Sequence, residues 1–248
     1  MKESAYKKEG IVTGKWTEEQ LNQVLRKASK ISHTGDRIAF LSKLFLSTPY
    51  KPSTLIGSKD MPEVFVINLA EVDCMTFIEY IEAMRLSKSF DEFKEKLKRV
   101  RYRVGGVTFK KRRHFFSDWV EIKPAYVKDV TEMLGGHRTL QPEKMLNLKD
   151  TTPKTFFIDG VEVQRREIKY IPAGFIGESV INGLETGDYI GIYSELQGLD
   201  VSHVGIMIKD KGTVYMRHAS SEKMKVVDEE LRGYLSGKSG IIVFRPKD

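Results

Sequence analysis

The sequence predicts an α+β domain in which a group of helices precedes an antiparallel sheet. Helical periodicity dominates the first hundred residues, whereas short apolar runs bounded by Gly, Asp or Ser dominate the last third. The length of 248 residues suffices for one large domain. Because helices and strands fall in separate blocks, a doubly wound parallel sheet is disfavoured. We therefore expect a single domain over residues 1–248.

Composition and charge narrow the class of protein. Hydrophobic residues make up 40% and charged residues 30% of the chain, and no apolar run approaches the ~20 residues of a membrane-spanning helix. The net charge of +7 suits an acidic partner such as nucleic acid, a membrane surface or an anionic polymer. Zinc-finger spacing, an RNP-type motif and a basic heptad helix are all missing, so nucleic acid is not the expected partner.

Two amphipathic helices are predicted in the N-terminal part, about residues 15–48. The first begins at the capping-box pattern Thr17–Gln20. The second begins at Thr34 or Asp36 and is ended by the prolines of TPYKP at 48–52. Both place apolar residues on one face: Leu21, Val24 and Leu25 in the first, and Ile38, Leu41 and Phe45 in the second.

A buried strand and two further helices follow. Val64–Leu69 has the composition of a buried strand, and Asp73 is a good N-cap for a helix that runs to Lys88. Phe90–Val100 is predicted as a charged amphipathic helix. The helix after Asp73 carries one apolar face, made by Cys74, Phe77, Ile78, Ile81 and Met84.

The stretch from about residue 101 to 170 is interpreted as an insertion that contributes to a ligand cleft. RYRVGGVTF predicts a strand, HFFSDWV an aromatic strand or loop, and much of 134–153 has no clear period. Asp118 and Asp200 are expected to be solvated carboxylates. The C-terminal third contains four predicted strands: Tyr189–Ser194, His203–Lys209, Thr213–Ala219 and Ile241–Arg245.

The single cysteine, Cys74, lies in the first turn of its predicted helix. Unpaired N–H groups and the positive end of the helix dipole favour a thiolate there, and they can also stabilise an oxyanion. Cysteine is also a common buried residue, and without further evidence a structural role is favoured. An internal disulfide is excluded because there is no second cysteine.

Two histidines provide that further evidence. If Asp210 and Lys211 form the tip of the last hairpin, His203 and His218 lie directly opposite each other on one sheet face. Such a pair can act as a base and its orienting group beside a nucleophile. An ordinary cross-strand pair on a solvated face is one alternative. A zinc site of Cys74, Asp73 and both histidines is another, although it lacks the usual close ligand spacing.

Several segments resemble the NlpC-type cell-wall cysteine peptidases, which have a papain-like fold. These are DCMTF at 73–77, SHVGI at 202–206, HAS at 218–220 and TPY at 48–50. From about residue 35 onwards the chain is most similar to one branch, the N-acetylmuramoyl-L-alanine amidase-like family. That similarity rests on TPYKPSTLIG, VINLAEVDCMTFIEY, RYRVGGVTFKKRRHFFSDW, KYIPAGFI, GLDVSHVGI, HASS and GIIVFRP.

The resemblance implies a catalytic domain with a nucleophile-bearing helix packed on a central antiparallel sheet. Cys74 would be the nucleophile, His203 the base and then the acid, and His218 the orienting group, without metal or cofactor. Met75-Thr76 replaces the Ser-Gly that follows the cysteine in many members, which implies a bulkier neighbouring subsite. Tyr50, Asp73 and Ser202 are further implied in substrate binding or the oxyanion hole. For the aromatic-basic cluster that contains Arg113, His114 and Trp119, two interpretations stay open: a substrate site, in which rings stack on sugars and Arg pairs with carboxylates, or a core strand with a basic edge.

The implied reaction is hydrolysis of the bond between N-acetylmuramic acid and L-alanine in peptidoglycan fragments, with 1,6-anhydro-muropeptides as expected substrates. A γ-D-glutamyl-diamino acid endopeptidase with the same triad and a non-catalytic muropeptide-binding module are the alternatives. The substrate implies the periplasm or cell envelope of a bacterium. The first residues, MKESAYKKEG, show no signal peptide, so we expect a trimmed chain, and we expect a monomer.

Overall fold

The computed structural model describes residues 9–104 and 106–247. Its α-helices, named in chain order, are α1 (Glu18–Ala28), α2 (Thr34–Lys43), α3 (Cys74–Arg85), α4 (Phe90–Arg101), α5 (Thr131–Gly135), α6 (Glu178–Gly183) and α7 (Leu231–Leu235). Its strands are β1 (Glu9–Val12), β2 (Phe65–Asn68), β3 (Val127–Asp129), β4 (Glu143–Leu146), β5 (Leu148–Thr151), β6 (Lys154–Phe156), β7 (Gln164–Glu167), β8 (Ile171–Pro172), β9 (Tyr189–Tyr193), β10 (Val201–Asp210), β11 (Thr213–Ser220), β12 (Lys225–Glu230) and β13 (Gly240–Pro246).

A seven-stranded antiparallel sheet forms the centre of the molecule. Its strand order is β12-β11-β10-β9-β13-β3, and β8 pairs with β13 beside β3. The prediction of a mixed α and β domain with a central antiparallel sheet is therefore confirmed. All four predicted C-terminal strands are present, as β9, β10, β11 and β13, with ends shifted by up to two residues. Strand β12 was missed because its sequence KVVDEE is short and half acidic.

The sheet separates two apolar cores. Side chains of α1 to α4 pack against alternate residues of β10, including Val204 and Ile206, to form the larger core. Met207, which lies between Ile206 and Ile208, faces the smaller core together with Met216 of β11 and Leu231 of α7. This alternation follows from the two-residue period of a strand. Within the described ranges, no helix is long and apolar enough to cross a bilayer.

The N-terminal helices form where the sequence predicts them. Thr17 and Gln20 make the reciprocal bonds of a capping box at the start of α1. Asp73 does the same for α3 with Thr76: the Thr76 N–H donates to Asp73 Oδ1 at 2.7 Å, and Thr76 Oγ1 accepts from the Asp73 N–H at 3.0 Å. The Asp73–Thr76 cap fixes the first turn of α3, where Cys74 lies.

The prediction that RYRVGGVTF forms a strand is wrong. Helix α4 continues through Arg101, whose Nε donates to buried Glu79 at 2.6 Å. Tyr102 then makes only an isolated bridge to Arg112. The stretch without clear period, 134–153, contains β4 and β5, which pair with the later strands β7 and β6. The preceding strand β3 joins the central sheet. Part of residues 101–170 is therefore built into the main fold.

The tip of the β10–β11 hairpin differs from the prediction by one residue. Asp210 pairs with Thr213, so the turn consists of Lys211 and Gly212, with φ of 48° and 83°. Two residues with positive φ are typical of a type I′ turn, whose twist suits a hairpin. Moving the tip by one residue changes each cross-strand partner by two. An even change keeps side chains on the same face of the sheet.

Candidate functional site

Cys74 lies at the first turn of α3 and remains partly exposed. The backbone N–H groups of Cys74, Met75 and Val204 are directed at its sulfur. Two of these groups belong to the open N-terminal turn of the helix, where backbone N–H groups have no partner within the helix. The third comes from β10, so the sulfur lies where the helix start meets the sheet.

The thiol is less acidic than the helix position predicts. Burial raises the pKa of Cys74 to about 12, and the negative charge of Asp73 adds to this effect. The three N–H groups act in the opposite direction but do not compensate for the lost hydration. Burial therefore opposes the thiolate that the helix position favours. A base that takes the thiol proton as the sulfur attacks would offset this cost.

His203 and His218 lie side by side, as the sequence predicts, but not as a directly opposed pair. The register of β10 and β11 aligns Ile206 with Arg217, and a Cβ on Gly205 would lie 2.9 Å from the Cβ of His218. His218 therefore faces Gly205, and His203 lies two residues along the strand. The ring nitrogens His203 Nε2 and His218 Nδ1 are still 2.7 Å apart.

A third polar residue continues this row. His218 Nε2 lies 2.9 Å from Oε1 of Glu229 in β12. His218 is aligned with Val227 in that strand, so Glu229 is again two residues from the directly opposite position. We call His203, His218 and Glu229 the diagonal row. Glu229 was not predicted from the sequence because β12 was not predicted. Its signal is its position two residues after Val227, on the same face of the strand.

Both imidazoles are neutral at physiological pH. Burial, together with the charges of the neighbouring His218 and Lys238, lowers the pKa of His203 to about 3. Burial also lowers the pKa of His218, against the charge of Glu229, which raises it. A neutral imidazole carries a lone pair that can accept a proton. The row can therefore supply the base that the Cys74 thiol lacks.

The backbone at the beginning of β10 links the row to the thiol. Val204, whose N–H is directed at the sulfur, directly follows His203 in the chain. His203 and His218 thus lie together as predicted. The approach of His203 to the Cys74 sulfur and the catalytic roles of all three residues stay predictions. Ser202 lies at a bulge in β10 just before His203 and is exposed, so it borders the site.

Two tyrosines lie close to the sulfur. Burial raises the pKa of Tyr50, and the charges of Cys74 and Asp73 also contribute. The Tyr50 N–H donates to the Met224 carbonyl at 3.0 Å, which holds the predicted Pro-Tyr element beside β12. Tyr234 of α7 was not predicted. Its ring centroid lies 4.8 Å from that of His218, and its pKa is raised by burial, Glu229 and Cys74.

Of the two interpretations of Trp119, the structure supports a core residue and not a ring that stacks on a sugar. Its side chain is fully buried, packs edge-on against Tyr189 at 5.1 Å, and belongs to the larger core. Asp118 and Asp200 are not solvated either. Asp118 pairs with Arg103 and Arg166, and Asp200 accepts the Ser117 N–H at 2.7 Å. Residues 116–121 form a short 3-10 helix in which the side chains of Asp118 and Trp119 are buried. Asp200 is buried just before β10.

Arg113 and His114 also make internal bonds. Nη1 of Arg113 donates to the carbonyls of Arg99, Val100 and Tyr102 at the end of α4. Arg113 also lines a cavity of about 600 Å³ beside α4. His114 Nε2 lies 2.9 Å from the Phe109 carbonyl, and burial lowers the pKa of His114. Neither residue contacts Cys74 or the diagonal row among the described residues, so substrate binding stays a prediction for both.

Residues 9–104 and 106–247 contain no group of three or more His, Cys, Asp or Glu side chains arranged to hold a metal ion.

Residues 40–241 match the model of the AmiA-like family, described as N-acetylmuramoyl-L-alanine amidase-like. The chain belongs to this family. Membership makes it an amidase-like hydrolase with a peptidoglycan-related function. No match was found among curated proteins.

Solved structures resemble the chain over most of its length. A Bacteroides uniformis N-acetylmuramoyl-L-alanine amidase is 27% identical, with a TM-score of 0.71 over 87% of this chain and 99% of the other. A Bacteroides fragilis protein described as a putative xylanase is 31% identical, with a TM-score of 0.67 over 82% and 98%. A Legionella pneumophila protein is 22% identical, with a TM-score of 0.75 over 93% and 96%. At this last identity the likeness concerns the fold.

Proposed function

We propose that this protein is a cysteine amidase that hydrolyses the bond between N-acetylmuramic acid and L-alanine in peptidoglycan fragments. One observation carries the proposal: the Cys74 sulfur meets the Val204 N–H, and the preceding residue, His203, is bonded to His218. A thiol, a base and a group that orients the base are the parts that acyl transfer through a covalent intermediate requires. Family membership and the Bacteroides uniformis amidase support the choice of bond.

The proposed reaction is acyl transfer to water. His203 takes the thiol proton as the sulfur attacks the lactyl carbonyl carbon of N-acetylmuramic acid, which avoids a free thiolate in a buried site. The N–H groups of Cys74 and Met75 donate to the developing oxyanion. His203 then returns the proton to the amine of L-alanine, which leaves with the peptide. Water, deprotonated by His203, hydrolyses the thioester and frees the carboxylic acid and the Cys74 thiol.

The remaining expectations form part of this proposal. The whole chain is one catalytic domain of papain-like fold, with the helical part at residues 15–48 and with residues 101–170 reaching the substrate cleft. Asp73 holds the nucleophile helix through its cap. Tyr50 and Ser202 border the attacked bond, and Arg113 and His114 contact more distant parts of the substrate. The protein acts outside the cytoplasm, as a monomer, on 1,6-anhydro-muropeptides released during wall turnover.

Digestion of defined muropeptides tests the proposal. N-acetylmuramoyl peptides, with and without the 1,6-anhydro ring, are incubated with the wild-type protein and the Cys74→Ala variant, and the products are weighed by mass spectrometry. We expect free sugar acid and an intact peptide that begins with L-alanine, formed by the wild type only. Cleavage inside the peptide would instead indicate an endopeptidase. Binding without cleavage would indicate a muropeptide-binding module, and activity in Cys74→Ala would exclude the cysteine mechanism.

A further inference from the structure

We propose that Glu229 is a positioning residue that fixes the protons of the histidine pair, so that His203 presents an unprotonated ring nitrogen to Cys74. The inference rests on the proposed function, and it assigns a role to a residue that the resemblance to the family does not include. It starts from the geometry of the diagonal row, in which two short contacts join three side chains from three adjacent strands.

The donors and acceptors of the row leave one consistent arrangement. An ionised carboxylate only accepts hydrogen bonds, so the proton between Glu229 and His218 is on His218 Nε2. A neutral imidazole has one N–H, so His218 Nδ1 carries a lone pair. The 2.7 Å contact then requires the proton on His203 Nε2. His203 Nδ1 is consequently the free base, and no hydrogen bond to it is found among the described residues.

Without the carboxylate, the opposite arrangement becomes available. His218 could carry its proton on Nδ1 and donate it to His203 Nε2, which would place the His203 proton on Nδ1 and block the base. A Gln at position 229 keeps the shape of the side chain, but its amide can donate as well as accept. Glu229→Gln therefore permits both arrangements, and an imidazole held in the wrong tautomer strongly reduces the rate of a nucleophile–base pair.

No other described group performs this role. Asp228, on the opposite face of β12, is bound by both Nε and Nη2 of Arg217 at 2.7 Å. Glu222 is exposed in the turn before β12 and acts on His218 only through its charge. Tyr234 contacts both rings from α7, and Lys238 affects His203 through its charge. Glu229 is thus the acceptor that holds His218, and Glu222 offers a matched control of equal charge.

Nitrogen NMR of the ring atoms tests the inference without any need for turnover. Spectra are recorded on three ¹⁵N-histidine-labelled proteins that all carry Cys74→Ala. One keeps both Glu222 and Glu229, which is the native pair, the second carries Glu229→Gln, and the third carries Glu222→Gln. We expect both His203 and His218 to carry the proton on Nε2 in the native pair and in Glu222→Gln. Glu229→Gln should show a fraction of His218 protonated on Nδ1. An unchanged tautomer in Glu229→Gln would overturn the inference.

The second test measures the kinetics of the same substitutions at positions 229 and 222 in protein that keeps Cys74. We expect Glu229→Gln to lower kcat by about 10- to 100-fold with KM changed less than about twofold, since a positioning residue acts on the reacting groups. The acid limb of kcat/KM should move to lower pH, because the charge of Glu229 raises the pKa of His218. Glu222→Gln should leave kcat near the wild-type value.

These outcomes separate the inference from the proposed function. Equal losses in Glu229→Gln and Glu222→Gln, or a loss in Glu229→Gln without movement of the acid limb, would overturn the positioning role. If the wild-type protein does not cleave muropeptides, the proposed function fails, and the NMR result still decides the role of Glu229 in the histidine pair.

Discussion

The segment 112–119 and the site formed by Cys74 and the diagonal row hold similarly reactive side chains, but their polar atoms bind different partners. In the segment, Arg112 pairs with Glu63, Arg113 binds backbone carbonyls, and Trp119 is sealed in the core. In the site, the chain of bonds from Glu229 ends at His203, whose second ring nitrogen has no hydrogen bond among the described residues.

The difference shows that residue type alone does not identify a functional site. Arg, His and Trp are common in binding sites, but they equally serve to satisfy helix ends and to fill cores. The distinguishing property is a polar atom that remains available after the internal bonds are made. We therefore expect substitutions in the site to lower activity and substitutions in segment 112–119 to lower stability.

The largest expected effect is on catalysis, from His203→Asn. Loss of a general base and acid reduces rates by about 10²- to 10⁴-fold, and the folded structure should persist because His203 lies at the beginning of β10. Product formation from a defined muropeptide and the thermal midpoint are measured together. A small change in kcat would show that another group is the base.

Trp119→Ala should have the largest effect on stability. Removing a fully buried aromatic side chain reduces the free energy of unfolding by about 3–5 kcal/mol. Trp119→Phe should be milder, because it retains a ring and removes an indole N–H that has no hydrogen-bond partner among the described residues. Urea unfolding measures both variants. A rise in KM at unchanged stability would instead restore the prediction that Trp119 contacts the substrate.

Arg113→Met should destabilise the end of α4 by about 1.5–3 kcal/mol, because it removes charge-assisted bonds to backbone carbonyls. The exposed Lys110→Met in the same basic run is the matched control and should change stability by less than about 0.5 kcal/mol. Denaturant unfolding and KM are measured for both. A tenfold rise in KM in Arg113→Met alone would support pairing with a substrate carboxylate.

The smallest effect is a pH dependence of stability. His203 is neutral in the folded protein, where its pKa is about 3, but it becomes protonated in the unfolded chain below about pH 6.5. The unfolded state then binds more protons, so stability falls as the pH decreases from about 6.5 towards 3. Between pH 7 and pH 5 this group contributes at most about 2 kcal/mol of loss. His203→Asn should lose correspondingly less stability over this interval, and an identical loss would contradict the buried neutral imidazole.

Local signals in the sequence predicted much of the framework. The capping pattern at Asp73 and the spacing of Phe77, Ile78 and Ile81 predicted α3, because caps and amphipathic periods depend on neighbouring residues only. The same local logic proposed Cys74 at a helix start and the two histidines on adjoining strands. The histidine contact survived an error in the turn because the register changed by two residues rather than one.

The errors concern properties that depend on distant parts of the chain. Glu229 joins the site only through the pairing of β12 with β11, and Trp119 is buried by Tyr189, 70 residues further along the sequence. The raised pKa of Cys74 likewise comes from packing that removes water from the sulfur, an effect larger than that of the helix start. The helix position alone predicted a lowered pKa for Cys74, whereas burial raises it.

Capture of the covalent intermediate tests the central claim most directly. The wild-type protein is mixed with an N-acetylmuramoyl peptide, quenched in acid within milliseconds and weighed intact, and the modified residue is located by digestion. The account predicts a transient mass increase equal to the N-acetylmuramoyl group, attached to Cys74 and missing in Cys74→Ala. An adduct that carries peptide instead of the sugar, or turnover through a residue other than Cys74, would contradict it.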